Sequence, residues 1–257
     1  MSEKNPARPN CFLRYIQTTA LFMTLLQFLF STGCKNRTGT ASEQPLKIVT
    51  FGDSITRGIR DGVNESQTFT FYLGQLLRKQ DFKVEMIRKG ISGEKTNEAL
   101  SRITRDVIAL NPRYVTIMYG TNDAYIDVYR DPNRTTPKIP LEDYQRNLTE
   151  MVRLLKKNNI TPILMTPIPM GKFWGWNVGI YGSNDINFKL KEYAQAVRTV
   201  AARENALLVD HFTEWLDWKS RRKDIDAWMT DGIHPNPKGH RLIAAAIFKV
   251  LVTELQK

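Results

Sequence analysis

Short apolar runs alternate with amphipathic stretches from Leu46 to the end of the chain. The runs, rich in β-branched residues, predict five strands: LKIVTF, KVEMI, YVTIMY, PILMT and ALLVD. Between and after them apolar residues recur every three or four positions, which predicts five helices, marked by residues 69–77, 100–110, 144–155, 186–200 and 243–251. Regular alternation of strands and helices predicts one domain with a parallel sheet and helices on both faces.

The first 45 residues do not follow this alternation. Residues 1–14 carry an excess of basic side chains, and residues 15–30 are mostly apolar. This order of regions is typical of a secretory signal peptide, and the apolar part is short for a membrane span, which needs about 20 residues. We expect residues 1–33 to be a signal peptide, residues 34–45 a flexible tether, and residues 46–257 the folded domain.

The predicted cleavage zone ends in the sequence STGC, with Cys34 directly after Gly33. It resembles the lipobox of bacterial lipoproteins, in which this cysteine is lipidated, although Ser31 stands where leucine is usual. The resemblance implies export and a lipid anchor in a bacterial cell envelope. Simple secretion and an uncleaved anchor are the alternatives. Because Cys11 lies inside the signal, no internal disulfide, cysteine nucleophile or cysteine metal site is expected in the mature chain.

The composition is that of an ordinary globular protein, with 42% hydrophobic and 25% charged residues among 257. The formal net charge of +11 could suit nucleic acid, an anionic membrane or an acidic polymer. No block of lysine and arginine with interleaved aromatic residues occurs, so nucleic-acid binding is not predicted. A generally basic surface accounts for the charge.

Polar residues follow the predicted strands where each strand ends. Ser54 lies in a Gly-Asp-Ser turn after the first strand, and Gly93 lies beyond the second. Asn122 follows the third strand, and Asp231 and His234 come after the fifth. Ligands of a parallel open sheet bind at the carboxyl ends of its strands. A serine, a histidine, an aspartate and amide donors at one edge are the parts of a serine hydrolase.

Four blocks resemble the motifs of the SGNH (GDSL) hydrolase superfamily, in the family's order: FGDSITRG, GISGEKT, GTNDA and DGIHPNPKGH. The resemblance covers Leu46 to about Leu255. It implies a flavodoxin-like fold, a three-layer α/β/α sandwich with a five-stranded parallel sheet. It also implies hydrolysis of carboxylic esters through a serine acyl-enzyme, with no metal or organic cofactor.

The resemblance also assigns roles to the polar residues. Ser54 corresponds to the nucleophile, His234 to its base, and Asp231 to the acid that orients the imidazole. The oxyanion hole corresponds to the amides of Ser54 and Gly93 and the side chain of Asn122. The chain departs from the family where Arg88 and Lys89 precede the second block. These cations lead to the hypothesis that the site prefers an anionic substrate.

Other polar residues have structural interpretations. Four are expected to shape turns, pack or lie at the surface rather than react: Asp53, Asp123, His211 and His240. The aspartates around His234 do not form a recognised metal-binding pattern. Residues 167–185, which include Trp174, Trp176 and Tyr181, are either a hydrophobic lid or a platform for a sugar or acyl chain.

The expected substrate is a small-molecule or carbohydrate ester with a short acyl group, above all acetyl. A lysophospholipase or thioesterase is the alternative within the same chemistry. A non-catalytic glycan-binding surface protein and a metal-dependent phosphoesterase are the alternatives from other classes.

Overall fold

A computed structural model describes residues 44–128, 130–171, 185–220 and 224–257 of the chain. Its sheet has five parallel strands: β1 (Leu46–Gly52), β2 (Val84–Gly90), β3 (Tyr114–Met118), β4 (Thr161–Met165) and β5 (Leu207–Val209). The strand order is β2-β1-β3-β4-β5. The predicted five-stranded, flavodoxin-like sheet is therefore confirmed. The predicted signal peptide and Cys34 lie outside the described residues.

Seven α-helices lie within the described residues. They are α1 (Ser54–Arg57), α2 (Phe69–Arg78), α3 (Thr96–Asp106), α4 (Leu141–Lys157), α5 (Phe188–Arg203), α6 (His211–Ser220) and α7 (Pro237–Leu255). The periodic pattern correctly predicted α2, α3, α4, α5 and α7. It missed α1, which is a single turn, and α6. The helix expected to reach Leu110 ends at Asp106 and continues as a short 3-10 turn.

The core lies in two layers, one on each face of the sheet. Helix α2 packs against α7 on one face, while α4 packs against α3 and α5 on the other. Successive side chains of β1 alternate between these layers, with Val49 and Phe51 in one and Ile48 in the other. Both faces are buried, which explains why the strands are almost continuously apolar.

Two glycines let the first helix start directly at the edge of the sheet. A Cβ at Gly52 would lie 2.2 Å from the hydroxyl oxygen of Thr56, and one at Gly90 would lie 2.0 Å from the backbone nitrogen of Arg57. Such distances exclude any side chain, so α1 lies against the ends of β1 and β2. Within the described ranges, no helix has the length and apolarity needed to cross a bilayer.

Candidate active site

Ser54 is the first residue of α1 and comes two residues after the end of β1, an inner strand of the sheet. Asp53 caps this helix, because its Oδ1 accepts a hydrogen bond of 2.9 Å from the backbone N–H of Ile55. The cap and the close approach of α1 to the sheet fix the backbone of Ser54. Its half-buried side chain lies in the wall of a cavity at the carboxyl ends of the strands.

Three predicted site residues form a continuous chain of hydrogen bonds. His234 Nε2 lies 2.9 Å from Ser54 Oγ, although 180 residues separate the two in sequence. On the other side of the ring, His234 Nδ1 lies 2.8 Å from Asp231 Oδ2. The carboxylate favours a proton on Nδ1, so the neutral imidazole presents its lone pair on Nε2 to the serine hydroxyl. This is the arrangement that lets a histidine remove a proton from serine.

A tight turn holds Asp231 beside the ring. Its Oδ1 accepts hydrogen bonds from the backbone N–H groups of Ile233 at 3.1 Å and His234 at 2.8 Å. Its Oδ2 also accepts a hydrogen bond of 2.7 Å from Arg60. Sequence reasoning did not find this arginine, because nothing in the pattern around it points to residue 231.

Burial and charge shift the pKa values of both partners. Partial burial alone would raise the pKa of Asp231, but the hydrogen bonds that His234 donates to it outweigh burial and lower it. For His234, burial is the largest effect and lowers its pKa, while the hydrogen bond to Asp231 opposes this change. The net result is a histidine that stays neutral to a lower pH than usual, as a general base requires.

Two of the three predicted oxyanion donors, Gly93 and Asn122, lie in neighbouring turns, and the third is the N–H of Ser54 at the start of α1. Asn122 Nδ2 donates to the backbone oxygen of Glu94 at 3.1 Å and approaches Asp53 Oδ2 at 3.4 Å. Gly93, next to Glu94, has a φ of 77°, and the position of a Cβ would be open. This left-handed backbone favours glycine at position 93.

A buried ionic network lies beneath these turns and was also missed from sequence. Glu94 accepts hydrogen bonds of 2.6 Å from Arg102 and from the hydroxyl of Tyr119. Asp123 accepts hydrogen bonds from the backbone N–H and the hydroxyl of Thr96, at 2.9 and 2.6 Å. Burial raises the pKa of Asp123 to about 6. The network ties the start of α3 to the turns that carry Gly93 and Asn122.

Asp53 also belongs to this buried region. Burial, reinforced by the charges of Asp123 and Glu94, raises its pKa to about 7 even though the Ile55 N–H stabilises the charged form. Its contacts are those of a helix cap and a support for Asn122, so the structure places it where a turn residue was expected.

The cavity beside Ser54 has a volume of about 250 Å³ and a largely apolar wall. Its described lining consists of Ser54, Thr121, Asn122, Ala124, Tyr125, Ile126, Lys138, Met170, Ile186, Phe188, Lys189, Leu190, Ile233 and His234. Arg88 and Lys89, the cations expected at the rim, are not among these residues. Arg88 is directed instead to Glu65, with which it forms an ion pair.

Two lysines occupy the cavity wall, and each has a carboxylate partner. Lys138 lies 3.6 Å from Asp127, and Lys189 lies 3.2 Å from Glu192. The predicted aromatic platform, with Trp174, Trp176 and Tyr181, lies outside the described residues.

The other two histidines are buried away from this cavity. His240 Nδ1 accepts a hydrogen bond of 3.2 Å from the backbone N–H of Phe69. Burial lowers the pKa of both His240 and His211 to about 4. Both are therefore neutral side chains of the interior, and His211 is not the surface residue that was one expectation. Across the described parts of the chain, no group of three or more His, Cys, Asp or Glu residues could hold a metal ion.

Comparison with known proteins gives the same picture of the fold. The chain is 28% identical to a Bacillus subtilis protein named uncharacterized lipoprotein YqeF, over 88% of this chain and 96% of the relative. It is 31% identical to the human isoamyl acetate-hydrolyzing esterase 1 homolog, over 80% of this chain and 81% of the relative. The crystal structure of an acetyl xylan esterase, AlAXEase, superimposes with a TM-score of 0.64 at 25% identity, covering 79% of this chain and 98% of that one.

A family model also matches most of the chain. The model described as the GDSL-like Lipase/Acylhydrolase family covers residues 50–242, from the end of β1 into α7. This span contains all five residues assigned to the site. The chain therefore belongs to the GDSL-like lipase/acylhydrolase family and is an ester-hydrolysing enzyme.

Proposed function

We propose that Ser54 is the nucleophile of a serine esterase that removes short acyl groups, above all acetyl, from carbohydrates. The observation that carries the proposal is the unbroken chain of contacts from Ser54 through His234 to Asp231, with distances of 2.9 and 2.8 Å. These distances lie in the range that proton transfer between a nucleophile and its base requires.

We assign each step of the proposed reaction to a side chain or backbone group of this chain. His234 Nε2 takes the hydroxyl proton of Ser54 as Oγ attacks the ester carbonyl carbon. The N–H groups of Ser54 and Gly93 and the amide of Asn122 bind the negative oxygen of the tetrahedral intermediate. The intermediate collapses as the protonated imidazole gives its proton to the departing alcohol. Water then attacks the acyl-enzyme with the same histidine as base, which releases the acid and restores Ser54.

The cavity and the relatives support a small acyl group. A volume of about 250 Å³ with an apolar wall suits an acetyl or other short acyl chain together with part of the alcohol. The names of two of the relatives specify acetate esters, of isoamyl alcohol in one and of xylan in the other. Since both cavity lysines are paired with carboxylates, we propose neutral esters as substrates in place of the anionic ones first considered.

The location of the enzyme is a further part of the proposal. The signal-like residues 1–33, Cys34 in its lipobox-like sequence and similarity to a protein named as a lipoprotein support an exported, lipid-anchored enzyme of the bacterial envelope. Residues 34–45 would then be the tether between the membrane and the catalytic domain. Radiolabelled palmitate incorporation into the wild type, compared with Cys34→Ala, tests this assignment.

A chain-length series tests the substrate assignment. The full chain is assayed with p-nitrophenyl acetate, butyrate, octanoate and dodecanoate, beside acetylated xylan fragments, with Ser54→Ala as control. We expect kcat/KM to decline beyond butyrate and acetate to be released from the xylan fragments. A maximum at octanoate or dodecanoate would instead identify a lipase or thioesterase. Absence of turnover by a folded wild type would support a glycan-binding role.

Two inhibitors separate the proposed mechanism from metal-dependent hydrolysis. A fluorophosphonate should inactivate the enzyme by forming one covalent adduct on Ser54, detectable by mass spectrometry. Incubation with EDTA should leave the activity unchanged. Loss of activity in EDTA, without labelling of Ser54, would contradict the serine mechanism.

A further inference from the structure

We propose that Arg60 is a positioning residue of this enzyme, which holds Asp231 in place and thereby orients the ring of His234. The inference rests on the proposed function, since it concerns how the base of that reaction is prepared. It adds a residue that none of the four sequence blocks assigns to the reaction.

Arg60 and the ring of His234 both contact the same carboxylate oxygen of Asp231. Arg60 Nη2 donates to Oδ2 at 2.7 Å, and His234 Nδ1 approaches the same oxygen at 2.8 Å. The other oxygen, Oδ1, is held by the backbone N–H groups of Ile233 and His234. With both oxygens fixed, the carboxylate cannot rotate away from the ring. Removing Arg60 leaves Oδ2 held by the imidazole alone.

The loop that carries Arg60 is shaped to bring it there. Gly58 ends α1 with a φ of 72°, and Gly62 has a φ of 80°. Arg60 and Val63, on either side of Gly62, exchange backbone hydrogen bonds of 3.1 and 2.9 Å, which closes a tight turn. The guanidinium thus joins the loop that leaves the helix of Ser54 to the loop of His234, across 171 residues of sequence.

The charge of Arg60 acts on His234 through space as well. A positive group on the far side of Asp231 disfavours a second proton on the imidazole, and it contributes to the lowered pKa of His234. The charged and titratable groups that act on this ring are Asp231, Arg60 and His240, while Lys138 and Lys189 line the same cavity. Of these, Arg60 is the cation bonded directly to the partner of the ring.

A stabilising role alone does not account for this arrangement. The side chains of Arg60 and Asp231 are 31% and 34% exposed, and ion pairs this exposed add little to folding stability. The effect of Arg60 should therefore appear in the pH dependence and in kcat more than in thermal unfolding.

The test compares Arg60→Ala, Arg60→Gln and Arg60→Lys in the full chain, using kcat and KM for p-nitrophenyl acetate between pH 5 and pH 9. In Arg60→Ala and Arg60→Gln we expect the acid limb of kcat/KM to move about half a pH unit upward, as loss of one nearby charge in a solvent-rich site predicts. We expect kcat at the plateau to fall about tenfold from poorer orientation of His234, with KM nearly unchanged. Arg60→Lys should keep the wild-type acid limb and recover part of kcat.

Arg153→Ala is the matched control. Arg153, on α4, pairs at 2.9 Å with Glu204, which directly follows α5; the two side chains are 67% and 11% exposed. It should change neither the pH profile nor kcat. Thermal unfolding of every variant is measured in parallel, so that Arg60→Gln and Arg60→Lys carry the test if Arg60→Ala does not fold.

The outcomes separate this inference from the proposed function. If folded Arg60→Gln has the same acid limb of kcat/KM and the same kcat as the wild type, the role of Arg60 is overturned and the serine mechanism is left intact. The proposed function itself would be overturned if the Ser54→Ala variant retained activity and no fluorophosphonate labelled the wild type.

Discussion

Replacing Asn122 by alanine tests whether its amide stabilises the transition state or merely orders a turn. Asn122 Nδ2 makes one hydrogen bond of 3.1 Å to the backbone oxygen of Glu94 and one contact of 3.4 Å to Asp53. A neutral hydrogen bond of this kind contributes about 1 kcal/mol to stability. In a protein of this size that corresponds to a fall in Tm of roughly 2–4 °C.

The expected loss of activity is much larger than this loss of stability. Removing one oxyanion donor typically lowers kcat by about 10²–10³, or roughly 3–4 kcal/mol of transition-state stabilisation. Asn122 shares the cavity wall with Ser54 and His234, as the proposed oxyanion role requires. We therefore expect Asn122→Ala to lose kcat with little change in KM, because the interaction forms only in the transition state.

The assay is steady-state hydrolysis of p-nitrophenyl acetate, with thermal unfolding of the same preparations. Asn158→Ala is the control, since Asn158 Nδ2 donates one hydrogen bond of 2.8 Å to the backbone oxygen of Leu154 at the end of α4. It should lose a similar amount of stability and no activity. A folded Asn122→Ala enzyme whose kcat stays within about threefold of wild type would refute the oxyanion role.

Three further predictions follow from the described contacts. Asp231→Asn should lower kcat about 10⁴-fold, because an amide favours the wrong tautomer of the ring; a loss under about tenfold by stopped-flow or steady-state assay would argue against this role. Gly93→Ala should lower the free energy of unfolding by about 1 kcal/mol, because it forces a Cβ into left-handed backbone at φ 77°; denaturant unfolding measures this loss. The loss of transition-state stabilisation, measured from kcat, should be larger. Burial raises the pKa of Asp53 from 3.8 to about 7, so its ionisation should destabilise the fold progressively as pH rises through that window. The stability of Asp53→Asn relative to wild type should therefore rise between pH 5 and pH 8, by about 3 kcal/mol at most, and an equal difference at pH 5 and pH 8 in urea unfolding would contradict this prediction.

The buried carboxylates beneath the site explain why the turns can be both irregular and fixed. Glu94 forms an ion pair with Arg102 and accepts a hydrogen bond from Tyr119, and its backbone oxygen accepts one from Asn122. Asp123, next to Asn122, is held by Thr96 at the start of α3. The donors of the proposed oxyanion hole thus rest on a rigid network rather than on mobile loops.

The sequence by itself determined the order of strands and helices and the reactive residues that follow the strands. Strands buried on both faces have an almost continuous apolar pattern, and the helices between them have a clear period, so the parallel sheet could be predicted. Because parallel strands end at one edge, Ser54, Asn122 and His234 could be expected to meet there. Helix α1 was missed because four residues are too few for a period, and α6 because its apolar positions do not form a clear stripe.

Only the tertiary structure decided the environment of those residues. The contact of Arg60 with Asp231 spans 171 positions and depends on a turn made by two left-handed glycines, which no local pattern encodes. The basic residues in the described cavity wall are Lys138 and Lys189 rather than Arg88 and Lys89, because the paths of the loops decide which side chains face the site. The raised pKa values of the buried aspartates are collective as well, because they arise from burial by many residues and from charges distant in sequence.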